Sequence, residues 1–230
     1  MQFEILNVRF VKTACLAVLA GALATGCATR GQAFDYTAFK QSNPASILVL
    51  PPVNSSPDVA ATYSMLSQVT LPLAESGYYV FPVSLVDETF RQNGLSNPAE
   101  MHEVKLQKLR EIFGADAALY ITIKQYGTSY TVIASESRVT AEARLIDLRS
   151  EKVLWKGEAT ASSAEGRNSN GGLVGLLVQA VISQIVESAS NRSHPIAGIA
   201  SYRLLAAGMP NGMLYGPRSP KYKTDGNAQP

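Results

Sequence analysis

The spacing of apolar residues changes near residue 117, and this change constrains the fold more than any other feature of the chain. Before that point apolar residues recur at helical spacing; after it they alternate. Residues 117–126 place Leu119, Ile121 and Ile123 on one side and Thr122 and Lys124 on the other. Residues 138–145 alternate more strictly: Val139, Ala141, Ala143 and Leu145 against Arg138, Thr140, Glu142 and Arg144. Residues 153–161 form a third such segment, with Val153 and Trp155 expected inward. A period of two means one packed face and one that is wet or covered by something polar. The intervening stretches, Gly127-Thr128-Ser129 and Arg149-Ser150-Glu151, are short turn sequences, which predicts an antiparallel meander.

The segment ahead of the meander reads differently. Ser46-Ile47-Leu48-Val49-Leu50, closed by Pro51-Pro52, is an aliphatic run of the kind that fills a central parallel strand. Asp58 is placed as the N-terminal cap of a helix carrying Val59, Tyr63, Leu66, Val69 and Leu73, which Pro72 should kink or end and Gly77 should stop. A second strand is expected over residues 78–83 and a short helix over 84–92. Asn97-Pro98-Ala99-Glu100 has the order of a helix start: an acceptor, then proline at the first helical position, then glutamate two residues later. That helix should run to Gly114 and bury Met101, Leu106, Leu109 and Phe113. Beyond the meander come a polar loop (162–172), a strongly apolar helix (173–188) and a last helix (195–207). The element order predicts an α/β chain, an α+β sandwich. Its mixed sheet has about five strands, with the meander C-terminal and helices packed on the faces.

The first 26 residues read as an export signal. Arg9 and Lys12 precede an apolar stretch over residues 13–23, too short for a bilayer span of about 20 residues. Leu23-Ala24-Thr25-Gly26-Cys27 follows and resembles the lipobox of bacterial lipoproteins, with a small residue in place of the commoner leucine. Cys15 lies inside the signal, so Cys27 becomes the first mature residue and the predicted lipidation site, and no cysteine pair remains for a disulfide or a zinc-thiolate site. By resemblance to lipoproteins generally, Ala28 rather than aspartate after the cysteine points to the periplasmic face of the outer membrane. The expected divisions are a signal peptide (1–26), a lipidated linker (27–42), one α/β domain (43–208) and an irregular or disordered tail (209–230). The net charge of +2 gives no electrostatic footprint for nucleic acid.

Three motifs together carry a family resemblance: the lipobox, the strand Ile47-Leu48-Val49-Leu50-Pro51-Pro52-Val53-Asn54, and the hairpin Leu145-Ile146-Asp147-Leu148-Arg149-Ser150-Glu151-Lys152-Val153-Leu154-Trp155. The chain resembles the family of bacterial lipoproteins typified by a conserved neisserial lipoprotein antigen, over roughly residues 39–205. The hairpin alone is similar to one in curli-secretion channel lipoproteins and in periplasmic activators of peptidoglycan synthases. The resemblance implies a domain similar to the N-terminal domain of TolB and a place in an envelope assembly encoded near a curli-channel-like lipoprotein. It carries over no activity and no catalytic residues. Read physically, Asp147 should accept backbone hydrogen bonds at the turn, and Trp155 should fill the core across from Leu145.

Candidate chemistry is sparse. His102-Glu103 begins a zinc-protease motif, but position 106 is leucine instead of the second histidine, so a solvated helix surface is the expected role. His194 stands in Ser193-His194-Pro195, with no acid or cysteine partner suggested by spacing. Gly171-Gly172 before a helix reads as a hinge, since no basic residue follows in that helix. The helix over 173–186 is apolar on most sides, and Val174, Leu177 and Val181 form its candidate interface. The expectation is a non-enzymatic assembly or binding component of an envelope secretion or transport system. Its partners would be the membrane, through the lipid, and a second copy or another envelope lipoprotein of the curli-channel kind. No cofactor, metal or nucleic acid is expected. The alternatives are an activator of a peptidoglycan synthase and a periplasmic hydrolase using Asp87 or Asp116. The roughly fifteen-residue linker, with a reach of about 50 Å, disfavours the activator.

Overall fold

The computed structural model describes residues 34–130, 135–165 and 192–225. In chain order these form α1 (Thr37–Ser42), β1 (Ser46–Val49), β2 (Val53–Asn54), α2 (Ala61–Gln68), α3 (Thr70–Glu75), β3 (Tyr79–Val80) and α4 (Val83–Gln92). Then come α5 (Pro98–His102), α6 (Leu106–Phe113), β4 (Ala117–Tyr130), β5 (Ser135–Asp147), β6 (Val153–Ser162) and α7 (Ser193–Leu205). The sheet is mixed and has six strands, in the order β3-β1-β4-β5-β6, with β2 pairing with β4. The sixth strand is β2, two residues resuming parallel pairing after Pro51-Pro52 interrupts the aliphatic run. As its sequence requires, β1 is central: Ile47, Leu48 and Val49 are fully buried, and both neighbours run parallel to it. β4, β5 and β6 form the antiparallel meander.

The strands of the meander depart from simple alternation at two places. The register between β4 and β5 shifts between Ile123 and Gln125, leaving Lys124 as the extra residue. A β-bulge of this kind bends the strand and raises its twist. β4 then continues past the expected turn at 127–129: Gly127 pairs with Arg138 and Thr128 with Ser137. Gly127 does this at φ +137°, a conformation open to glycine, so the residue taken for a turn lies inside the strand. The second shift lies between Leu145 and Ile146. There Leu145 faces Trp155 and Ile146 faces Val153, so Leu154 is the extra residue. Leu154 and Trp155 are both buried, and Val153, expected inward, is turned outward and 42% exposed.

Two predicted helices are each split in two. The one beginning near Asp58 breaks at Val69, and Pro72 sits in the first turn of α3, where a missing N–H costs nothing. Asp58 serves the start of α2 from just outside it: its Oδ1 accepts from Ala60 N at 2.9 Å and its carbonyl from Ala61 N at 3.2 Å. Asn97 caps α5 by accepting from Ala99 N at 3.0 Å, with Pro98 at the first helical position. α5 stops after His102, and α6 restarts from Lys105 and ends on Gly114 in the left-handed conformation. The strand at 78–83 is reduced to β3 because Pro82 already starts α4.

The sheet carries a helical cover on each side. One face is built from Ile47, Val49, Leu119, Ile121, Ile123, Val139, Leu145 and Trp155 and packs against α2, α3 and α7. The other, from Leu48, Leu50, Ala118, Tyr120, Ile146 and Leu148, packs against Val86, Phe90, Met101 and Leu109 of α4, α5 and α6. The first core also takes in segments expected to lie outside the domain. Phe39 of α1 is buried, as are Met213 and Leu214 of the presumed tail. Residues 211–225 have no regular secondary structure, yet they form a strap tied to the core. Trp155 Nε1 donates to Asn211 O (2.9 Å), Tyr78 OH to Leu214 O (2.5 Å) and Gly216 N to Ser76 O (2.8 Å). Gly77 stops α3 as its sequence suggests, and it also lets the strap pass: a Cβ there would lie 2.3 Å from Ser219 N.

Candidate functional site: the open face of the meander

Among the described residues, the helical cover of the second face reaches only as far as Tyr120 and Ile146. Beyond them the same side of β4, β5 and β6 carries polar residues in cross-strand rows. Tyr120, Arg144 and Lys156 stand in register, and Thr122, Glu142 and Glu158 form the next row. After the Lys124 bulge come Gln125, Thr140 and Thr160. Thr140 joins its two neighbours by hydrogen bonds of 3.2 and 3.0 Å, and Lys124 reaches back to Glu142 at 2.9 Å. Cationic and acidic rows therefore lie side by side on one exposed surface: Arg144 faces Lys156 and Glu142 faces Glu158, like charges that oppose strand pairing, and the surface offers both signs of charge to a partner.

Where this surface meets the helices it deepens into a hollow of about 550 Å³, lined among others by His102, Tyr120, Glu142, Arg144, Lys156 and Glu158. His102 is no solvated surface residue, contrary to the sequence expectation. It is half-buried, donates from Nε2 to Pro51 O at 2.9 Å and meets the Tyr120 ring edge-on at 5.1 Å. The Arg144 guanidinium lies over the Tyr120 ring, 5.1 Å from its centroid. Burial lowers the His102 pKa, with Arg144 adding to the effect against the raising pull of the Pro51 bond and Glu103. Burial likewise pushes the Tyr120 phenol up to about 12. At neutral pH the hollow thus presents a neutral imidazole, a protonated phenol, two cations and two carboxylates. That set can recognise a polar or charged group, and it contains no activated nucleophile. Only the Pro51-Pro52 corner placed next to α5 brings His102 there, a juxtaposition across 51 positions that spacing does not reveal.

His194 occupies a different place. It opens α7, with Ser64 Oγ 2.8 Å from Nδ1 and the Gln68 amide 2.7 Å from Nε2, while Tyr126 OH donates to Ser64 Oγ at 2.6 Å. A hydroxyl beside an imidazole has the beginnings of an acyl-transfer pair. The group on the far ring nitrogen is an amide, however, which cannot stabilise an imidazolium as a carboxylate does. The cluster joins α2, β4 and α7 and is a structural network.

The two carboxylates of the hydrolase alternative are also placed. Asp116 accepts from Ala45 N (3.0 Å), Ser46 N (3.1 Å) and Ser46 Oγ (2.9 Å), and pairs with Arg149. Burial pushes its pKa up, but these bonds outweigh it and hold the group below the ordinary carboxylate value. It fastens the start of β1. Asp87 lies in α4 with one oxygen 3.9 Å from Arg91 and the other buried without a hydrogen-bond partner. Neither carboxylate lines the hollow around His102, and among the described residues no group of three or more His, Cys, Asp or Glu is arranged to hold a metal. Asp147 performs its expected role, its Oδ1 accepting from Arg149 N (2.8 Å) and Ser150 N (2.6 Å). Cys27, Val174, Leu177 and Val181 lie outside the described residues. No described helix is long and apolar enough to cross a membrane.

Comparison with known proteins places this arrangement. A family model described as "Putative lipoprotein GNA1162-like" matches residues 34–218. A relative from Neisseria meningitidis serogroup B (strain ATCC BAA-335 / MC58), named "Putative lipoprotein NMB1124/NMB1162", is 53% identical over 186 residues, which are 80% of this chain and 86% of the relative. The crystal structure of lipoprotein GNA1162 from Neisseria meningitidis is 54% identical, with 63% of this chain covering all of that chain at a TM-score of 0.52. Neither the family nor these relatives are named for an enzymatic activity, and membership implies a membrane-anchored protein. The matched range takes in α1 and most of the strap, in accord with a core that uses both. The chain belongs to the GNA1162-like lipoprotein family.

Proposed function

We propose that the protein is a non-enzymatic assembly or binding component of the bacterial envelope, held by a lipid on Cys27 at the periplasmic face of the outer membrane. The observation that supports this most is the uncovered polar side of β4, β5 and β6, a broad sheet surface with ordered rows of both charges beside an edge strand. A sheet face of this kind suits a protein partner better than a small substrate, because its groups are spread along three strands. β6 lies at the sheet's edge and adds a backbone ladder that a partner strand can join. The apolar side of Val174, Leu177 and Val181 is the second proposed contact, and a second copy or another envelope lipoprotein is the proposed partner.

The test is photo-crosslinking in intact cells, with the probe placed in turn at Thr122, Lys156 and Val174 and, as a control, at exposed Glu88 on α4. Adducts to the protein itself or to an envelope protein from the first three positions, and none from Glu88, are expected. Absence of any adduct from Thr122 and Lys156 would overturn the sheet face as the contact, and absence from all three would overturn the assembly reading.

A further inference from the structure

The strap over residues 211–225 carries three exposed cations in six positions, Arg218, Lys221 and Lys223. Each lies against an aromatic ring: Arg218 over Tyr79 at 5.8 Å, Lys221 over Tyr215 at 5.6 Å and Lys223 over Tyr222 at 5.0 Å. None of the three is in an ion pair with a carboxylate among the described residues. The strap's own acid, Asp225, is half-buried, accepts from Tyr215 N at 2.9 Å and lines one hollow together with Lys40 and Lys223.

This surface adjoins the start of the described chain. Phe34 N donates to Asn211 Oδ1 at 3.2 Å and Tyr36 OH to Gly212 O at 2.5 Å. Tyr222 OH donates to Asn43 just after α1, and one hollow of about 270 Å³ is lined jointly by Phe39, Asn43, Tyr215, Tyr222 and Lys223. α1 and the strap therefore form one continuous surface. Six residues separate Cys27 from Phe34, and the seven steps of chain between them reach at most about 25 Å. A lipid on Cys27 would keep this surface within that distance of the bilayer. Cations with tyrosine rings beneath them match the interfacial zone of a membrane bearing negative headgroups.

We propose that the strap is a docking surface for an anionic lipid bilayer, with Arg218, Lys221 and Lys223 as its contacts. The proposal rests on the Cys27 tether for its geometry. Docking would hold the domain with α1 and the strap against the membrane, giving it an orientation that a tether alone does not supply. Each cation near an anionic surface should raise binding roughly five-fold, so the three together contribute on the order of 100-fold.

The test uses the mature chain with Cys27→Ser, which removes the lipid, and vesicles of phosphatidylcholine with or without phosphatidylglycerol. Co-sedimentation with the anionic vesicles, lost at high salt and absent with pure phosphatidylcholine, is expected. Adding Arg218→Gln, Lys221→Gln and Lys223→Gln together should reduce it on the order of 100-fold. Lys221→Gln with Lys223→Gln should reduce it about 25-fold while leaving the bond from Arg218 to Ala45 O intact. Equal binding to both vesicles, no binding at all, or undiminished binding by the triple variant would overturn the proposal. Mass spectrometry of the N-terminal peptide of the wild-type chain examines the tether separately. An unmodified Cys27 would overturn the tether and its geometric argument, while the vesicle result decides the docking surface itself.

Discussion

The two faces of one sheet are built from the same three long strands and meet different fates. On the first face Val139, Ala141, Leu145 and Trp155 disappear under α2, α3 and α7. On the second, the described helices cover only the part near β1, and the next residues along β4, β5 and β6 are Thr122, Glu142, Arg144, Lys156 and Glu158. Burial sets the stability of the first face, and the second, with its charged groups in water, is the one proposed for contact with a partner. A face of a sheet with this much charge is tolerated because its groups stay hydrated, which screens the like-charged neighbours Arg144–Lys156 and Glu142–Glu158.

The sharpest way to break the comparison uses adjacent residues that point to opposite faces. Trp155→Ala should lose about 3–5 kcal/mol in urea unfolding, from a side chain 1% exposed, while Lys156→Ala should stay within about 0.5 kcal/mol. Comparable losses at both positions would show that the second face is also covered. Gly157→Ala comes next. A Cβ at Gly157 would stand 2.2 Å from the Trp155 ring, so the indole must move, and a loss of about 1–3 kcal/mol with altered tryptophan fluorescence is expected.

Asp147, 3% exposed at the β5–β6 turn, supplies a test with a pH signature. Burial pushes its pKa up, but hydrogen bonds from Ser42, Ser150 and Arg149 prevail and hold it below the ordinary value. A depressed carboxylate adds stability that is complete above its unfolded value of about 3.9 and is lost as pH falls through the lower folded value. Asp147→Asn should therefore cost about 1–3 kcal/mol at pH 7, with the gap from wild type closing as the pH is taken below 4. A gap that persists unchanged at low pH would mean that geometry, and not charge, is what the turn needs. The smallest effect belongs to the open face. Lys124 and Glu142 are each nearly half exposed, and a double-mutant cycle should give about 0.2–1 kcal/mol, shrinking with added salt.

Legibility in the sequence follows the same division. Alternation revealed the packed face of the meander, the Leu145–Trp155 pair and the role of Asp147, because all three depend on residues close in the chain or on a strict period. It failed where one residue is inserted. Lys124 and Leu154 each shift the register, and this carries β4 through Gly127 and turns Val153 outward, with no local residue type announcing the shift. It also failed where a few contacts anchor a polar stretch. Met213, Leu214 and Gly216 suffice to dock the strap, too few to produce a period. For the candidate site, Arg144 and Glu142 were legible as members of an outward face, whereas His102 was not, since its position depends on Pro51 across the fold.

The contacts at Asn211 also describe a path for force. Its side chain accepts from Phe34 N, its carbonyl accepts from Trp155 Nε1, and Gly212 O receives the Tyr36 hydroxyl. A pull on the chain ahead of Phe34 is thus passed sideways into the strap and from there into the indole at the centre of the larger core. The entry point of the load is braced against the least exposed aromatic ring among the described residues, so the domain should yield at its leading residues only when the strap itself lets go.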